Sequence, residues 1–239
     1  MKICALAAVV SAGLAASALA DTAALSANHD NSIFSELPTH SNGSGTGLFV
    51  GNTLQGGTRR ALISFDLSSI PANATITGAS VTLNMVQTAG GAINIGLHRV
   101  TTGWGEGASA GSGQGAPAQP GEATWTHAEF GIAGWGSAGG DFVAGASSSK
   151  SVGSSGAYTW SSSVAMVADV QGWLNDPSSN FGWMLIGDAV NGTAKRFASR
   201  EFSDNELLQP VLNVEYTVVP APASVALLGV AGLALRRRR

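Results

Sequence analysis

The chain is predicted to be all-β, a two-sheet antiparallel sandwich with one short helix, and three observations carry that prediction. Val81, Leu83 and Met85 alternate with Thr82 and Asn84, and Leu212, Val214, Tyr216 and Val218 repeat the pattern near the end. Period two marks a strand with one buried face. Only 11% of the residues are charged while 32 are glycine, which suits turn-rich β-proteins better than helices built on Glu, Lys, Arg and Leu. Finally, a single segment carries helical periodicity.

Taken in order, residues 30–34 read as a short strand and residues 41–45 as a turn. Residues 48–50 and 59–67 read as strands, with Pro71 and Asn73 marking the turn that follows. The strand ending near Met85 is succeeded by Ile93, Ile95 and Leu97 across Gly90-Gly91, so the two are predicted to form a hairpin. Residues 104–121 are rich in Gly, hold Pro117 and Pro120, and show no apolar periodicity. They read as a long loop, and the composition of residues 108–119 favours disorder. Strand signals return at residues 123–125, 141–143 and 157–160. The helix lies at residues 163–174, with Val164, Val167, Val170 and Leu174 on one face. Ser162 or Ser163 caps it and Asn175-Asp176-Pro177 ends it. Residues 181–186, 196–202 and 211–219 complete a count of eight to ten strands, read as one domain.

The two ends read as export signals. Met1-Lys2, an apolar run and Ala18-Leu19-Ala20 before Asp21 make a secretory signal peptide over residues 1–20. It carries away Cys4, the only cysteine. The body, residues 21–219, therefore has no disulfide and no thiolate. Lys2 and the four terminal arginines supply five of the 12 basic residues, so seven remain against 15 acidic ones, a net −8. Such a surface repels nucleic acid. Residues 220–239 place Pro220-Ala221-Pro222 before a short apolar run closed by Arg236, Arg237, Arg238 and Arg239. The 13 apolar-run residues fall short of the ~20 that a spanning helix needs, and the arginines resist translocation. An ordinary membrane anchor is the alternative.

No catalytic constellation is visible. His29, His40, His98 and His127 are scattered without metal-ligand spacing, and no G-x-S-x-G elbow occurs. Arg59 and Arg60 open a strand. The pair, Arg59 foremost, reads either as a carboxylate clamp for an acidic sugar or as an ion pair with Glu201, Asp66 or another acid. Arg200 and Glu201 read as a cross-strand pair. Trp104 and Trp135 stand in glycine-rich loops and are candidate platforms for a sugar ring, whereas Trp125, Trp160, Trp173 and Trp183 read as core. Asp30, Asn31 and Glu36 offer oxygen ligands close together. They either hold a structural calcium ion or make turns, since no Asp-x-Asp-x-Asp-Gly loop is present. No other cofactor is expected, and no enzyme activity.

Six segments carry a resemblance when taken together: Arg59-Arg60-Ala61-Leu62-Ile63-Ser64-Phe65-Asp66-Leu67-Ser68, Leu97-His98-Arg99-Val100 leading to Trp104-Gly105-Glu106-Gly107, Ala123-Thr124-Trp125, Val170-Gln171-Gly172-Trp173-Leu174, Phe197-Ala198-Ser199-Arg200-Glu201 and Gln209-Pro210-Val211-Leu212. In this order they resemble the DNRLRE domain across about residues 28–217, with Asp30-Asn31-Ser32-Ile33-Phe34-Ser35-Glu36 as a loose form of the eponymous motif. The resemblance implies an extracellular, jelly-roll-type sandwich. Some relatives are described as carbohydrate-binding modules attached to polysaccharide lyases, and others sit in surface proteins. The tail resembles the PEP-CTERM sorting signal, with Ala221 in place of the family's Glu. That resemblance implies signal peptidase and an exosortase-type transpeptidase as partners, transient anchoring in the inner membrane by the tail alone, and a final place at the cell surface or in the exopolysaccharide matrix. The expected role is that of a structural or adhesive matrix protein; the alternative is a carbohydrate-binding module.

Overall fold

The computed structural model describes residues 19–218. Ala18, Pro220 to Pro222 and Arg236 to Arg239 lie outside the described residues. Ala20 is exposed and pairs with Thr217 on the final strand. No helix among the described residues is long and apolar enough to cross a membrane.

Fourteen strands and one α-helix follow one another in the described residues: β1 (Leu19–Phe34), β2 (His40–Ser41), β3 (Gly47–Asn52), β4 (Thr58–Phe65), β5 (Thr75–Thr88), β6 (Ile93–Arg99), β7 (Ala116–Pro117), β8 (His127–Glu129), β9 (Ala133–Gly134), β10 (Ser148–Val152), β11 (Gly156–Trp160), α1 (Val164–Asn175), β12 (Trp183–Gly187), β13 (Lys195–Ala198) and β14 (Val211–Val218). All pairings are antiparallel, and they make an all-β sandwich.

The long β1 joins the two sheets. Its first half pairs with β14, and its second half, beyond a register shift between Ala27 and His29, pairs with β4. On the first sheet, β14 and β13 line one edge of β5 and β11 the other. The second sheet runs from β1 through β4, β12 and β6 to β10. β3 also crosses between sheets, pairing with β13 and, at Gly51 and Asn52, with β4. Gly51 has φ +96°, a left-handed conformation open to glycine.

The alternation read from the sequence places Val81, Leu83, Met85, Leu212, Val214 and Tyr216 in the main core, together with Trp160, Trp183 and Phe197. Ile76 is buried too, although its parity is opposite. A register shift where Glu215 and Tyr216 face Gly78 and Ile76 adds one residue to β5 and turns the pattern over.

Three expectations are corrected. The turn at Gly90-Gly91 exists, but β6 pairs with β10 and β12 instead of β5. The turn is thus a corner between sheets, tied by Lys195 Nζ, which donates to Thr88 Oγ1, the Ala89 carbonyl and the Gly91 carbonyl at 2.7–2.9 Å. The helix is capped by Ser163, whose side chain accepts the N–H of Met166. Its buried face is Met166, Val170, Trp173 and Leu174, however, and Val164 in its first turn is 90% exposed. Asp169 docks the helix by accepting Trp183 Nε1 at 2.9 Å and pairing with Arg99 at 3.1 Å.

The third correction concerns residues 104–121, which form an ordered cover. Residues 100–142 lie over the outer face of the second sheet, where Ile33, Leu62 and Met184 meet Val100, Ala123, Ala128 and Trp135 in a second apolar core. The backbone groups of the cover find partners on the chain before β3: Ala118 N donates to Thr39 O, Ser44 N to Ser109 O, and β7 pairs with β2. Composition pointed to disorder because few large apolar side chains are present. The order comes from polar anchors instead.

Candidate functional site

An open cleft of about 650 Å³ lies where β3, β4, β5 and β13 meet residues 111–113 of the cover. β13 alternates Phe197 into the core with Arg196 outward, and β3 likewise buries Leu48 and Val50 while Phe49 lines the cleft. Arg59 enters from the start of β4, stacked with its guanidinium 5.7 Å from the Phe34 ring and 5.8 Å from the Phe49 ring.

Three cations converge here. Arg196 holds Thr46 Oγ1 at 2.9 Å through Nη2. Lys195 is almost fully buried, and its ammonium is satisfied by a hydroxyl and two carbonyls, with no carboxylate among its partners. Burial lowers its pKa, and Tyr158 opposes that shift. Arg59 donates Nε to Glu36 Oε1 at 2.8 Å, the one hydrogen bond its guanidinium makes among the described residues. The residues lining the cleft include no carboxylate. Gln87 adds an exposed amide to the rim.

The wall on the loop side is held by Glu122. Its carboxylate accepts the N–H groups of Ala108, Ser109 and Gln119 at 2.7–3.0 Å, and Asn42 Oδ1 accepts Gly111 N at 2.9 Å. Close backbone approach seats the strip: a Cβ at Gly105 would overlap the carbonyl oxygen of Gly121.

Beside it lies an acidic cluster in which Asp30 is buried and Glu106 and Glu201 are partly so. Arg200 makes two bonds to Glu106 at 2.7 and 2.9 Å and pairs with Glu201 at 2.8 Å. Asp30, fully buried, accepts the Arg200 backbone N–H at 2.7 Å. Burial pushes the Asp30 carboxyl well above the usual carboxylate range; the Arg200 N–H works against this, and Glu201 and Glu106 reinforce it. Burial raises Glu201 as well.

The residues singled out in the sequence are distributed as follows. Arg59 belongs to the cleft and has Glu36, not Glu201 or Asp66, as its acid. Asp30, Asn31 and Glu36 do not converge. Asp30 faces Arg200, Glu36 faces Arg59, and Asn31 is a buried hub that donates to Ser41 Oγ and the Glu106 carbonyl and accepts Asn42 N. Among the described residues, no group of three or more His, Cys, Asp or Glu side chains is placed to hold a metal ion. Trp135 is 8% exposed and donates Nε1 to the Thr124 carbonyl, so its ring packs the second core instead of offering a platform. Trp104 is half-buried, edge-on to His29, with Nε1 donating to the Phe181 carbonyl. Neither tryptophan lines the cleft. Lys195, Arg196, Phe49 and Gln87 escaped the sequence reading. The adjacent basic pair Lys195-Arg196 in so weakly charged a chain was the available signal.

The all-β sandwich thus carries a lateral cleft lined by Arg59, Lys195 and Arg196, with Phe49 in its wall. The family model of carbohydrate-binding module family 96 matches residues 21–124, somewhat under half of the chain. The matched region contains Phe49 and Arg59, whereas Lys195 and Arg196 come from beyond it. No curated protein matches the chain. The family match supports a carbohydrate-binding module over the structural and adhesive reading.

Proposed function

We propose that this protein is a non-catalytic carbohydrate-binding module that takes an acidic polysaccharide in the cleft of Arg59, Lys195 and Arg196. The observation that carries this reading is charge placement. In a body of net −8, three cations meet in one cleft whose lining has no acid. Guanidinium groups present planar donor pairs that match a uronate carboxylate, and Phe49, only 7% exposed, backs the Arg59 guanidinium instead of offering a ring platform. The buried Lys195 contributes field more than contact, because its three protons are already engaged.

Export fits this role. The expected signal peptide and the PEP-CTERM-like tail would deliver the module to the cell surface or the extracellular matrix, where such polymers lie. Signal peptidase and an exosortase-type transpeptidase are the processing partners in this scheme, and exopolysaccharide is the ligand. Structural calcium has no place in the proposal, since Asp30, Asn31 and Glu36 each have other partners.

Affinity electrophoresis of the purified protein in gels containing polygalacturonate tests the reading. Retardation should appear at low salt and weaken at least tenfold in Arg196→Ala. Free migration of the wild-type protein, or undiminished retardation of the variant, would refute the cleft as the site.

A further inference from the structure

We propose a second glycan subsite on the opposite face of β4, built around Arg60 and accepting an uncharged, hydroxyl-rich sugar. Successive strand residues point to opposite faces. Arg59 lines the cationic cleft, while Arg60 lines a separate open pocket of about 540 Å³ with Thr101, Thr102, Ser137, Asp141 and Phe142. The two sites therefore stand back to back on one strand.

Arg60 is rigidly placed and sparsely bonded. Its guanidinium carbon lies 5.0 Å from the Trp125 ring centroid and 5.1 Å from that of Phe142. Nη1 donates to the Gly139 carbonyl at 2.6 Å, and Nε is buried without a partner. Among the described residues Arg60 enters no ion pair. Across the pocket, the Asp141 carboxylate is fixed by Gly136 N at 2.8 Å, Ser137 N at 3.1 Å and Thr102 Oγ1 at 3.1 Å.

The pairing of charges selects the ligand class. An anion attracted to Arg60 meets Asp141, and a cation attracted to Asp141 meets Arg60. A sugar hydroxyl both donates and accepts, so neighbouring hydroxyls can use the guanidinium and the carboxylate together. Phe142, partly buried against the second core, lines the pocket beside Arg60. The volume is within the usual range of about 300–1,000 Å³ for small-molecule sites, and the aromatic sandwich orders Arg60 before binding. This site shares with the preceding proposal only the sugar nature of the ligand. One molecule would then engage two polysaccharide chains of different charge.

Two electrophoretic series separate the sites. Gels carrying neutral polysaccharides (dextran, laminarin and xyloglucan in turn) should retard the wild-type protein in at least one case, and this retardation should survive 500 mM NaCl. Ala138→Phe, at an exposed position on the pocket rim, should reduce it at least fivefold, as should Arg60→Gln. Polygalacturonate retardation should be unchanged in Ala138→Phe, whereas Arg196→Ala should show the reverse pattern. Polygalacturonate beads loaded with protein should also capture the fluorescent neutral polymer. Three results would overturn the proposal: no retardation by any of the three neutral polymers, full retardation of Ala138→Phe, or loss of polygalacturonate binding in Ala138→Phe. Failure of the acidic cleft alone would leave neutral-polymer retardation intact, so the two proposals fail separately.

Discussion

The carboxylate of Glu122 accepts the backbone N–H of Ser109 at 2.9 Å, and this bond, with those from Ala108 and Gln119, fixes the cover that walls the cationic cleft. Ser109 and Glu122 are 13 positions apart, and the chain between them is folded back by one side chain. Glu122 is 2% exposed, so its three donors have little access to water if the carboxylate is removed.

Glu122→Ala should therefore destabilise the protein by about 2–4 kcal/mol, as expected when buried donors lose a charged acceptor. It should also expose residues 108–119 to protease. Burial works against ionisation of Glu122, but bonds from Ser109, Gln119 and Ala108 outweigh it and hold the carboxyl below its usual range. A depressed carboxyl pKa stabilises the fold above the unfolded value of about 4.3 and loses that contribution as pH falls through the folded value. Limited proteolysis should thus show protection at pH 7 that weakens below about pH 4. Cleavage of the wild-type strip at pH 7 would contradict the anchoring role.

Asp30 carries the opposite sign. Its raised carboxyl pKa favours the protonated folded form, so its contribution is most favourable below about pH 3.9 and declines as pH rises toward the folded value. Asp30→Asn keeps an oxygen for the Arg200 N–H and removes the buried charge. Its thermal midpoint relative to wild type should rise by roughly 2–4 °C at pH 8, the equivalent of about 1 kcal/mol for a domain of this size, and by less at pH 4. A larger gain at pH 4 would mean that Arg200 fully compensates the charge.

Two tryptophans exchange the roles read from the sequence, since Trp135 is core and Trp125, expected in the core, is only half-buried. Trp135→Ala should cost about 3–5 kcal/mol, because the ring is buried in the second core. Trp125 is half-buried and stacks on Arg60, so Trp125→Ala should cost only about 1–2 kcal/mol. Urea denaturation of both variants provides the comparison.

Salt should distinguish charge from shape in the main cleft. Raising NaCl from 50 to 500 mM shortens the screening length from roughly 14 to 4 Å. Polygalacturonate retardation should accordingly fall severalfold while the folded protein stays intact by circular dichroism. Salt-independent retardation would contradict the role of the cations in the cleft.

Much of the fold was legible because strands with one buried face write their geometry locally. Val81, Leu83 and Met85, and Leu212, Val214 and Tyr216, declare their inner face by alternation alone, and Ser163 and Pro177 bracket the helix by cap chemistry. Arg59 was also visible as a strand-opening cation. What the sequence left open depended on partners distant along the chain. The Gly90-Gly91 corner looks like a hairpin turn until β6 is seen paired with β12. The glycine-rich cover looks disordered until Glu122, Asn42 and Thr39 take up its backbone groups. The cleft itself is assembled from Phe49, Arg59 and Arg196, whose convergence requires β3 to lie between β4 and β13. Local periodicity determined which residues face inward, whereas long-range strand pairing decided which exposed side chains share a surface. Alternation is a property of a single strand's pleat; a binding site is a property of several strands brought together by burying a common core.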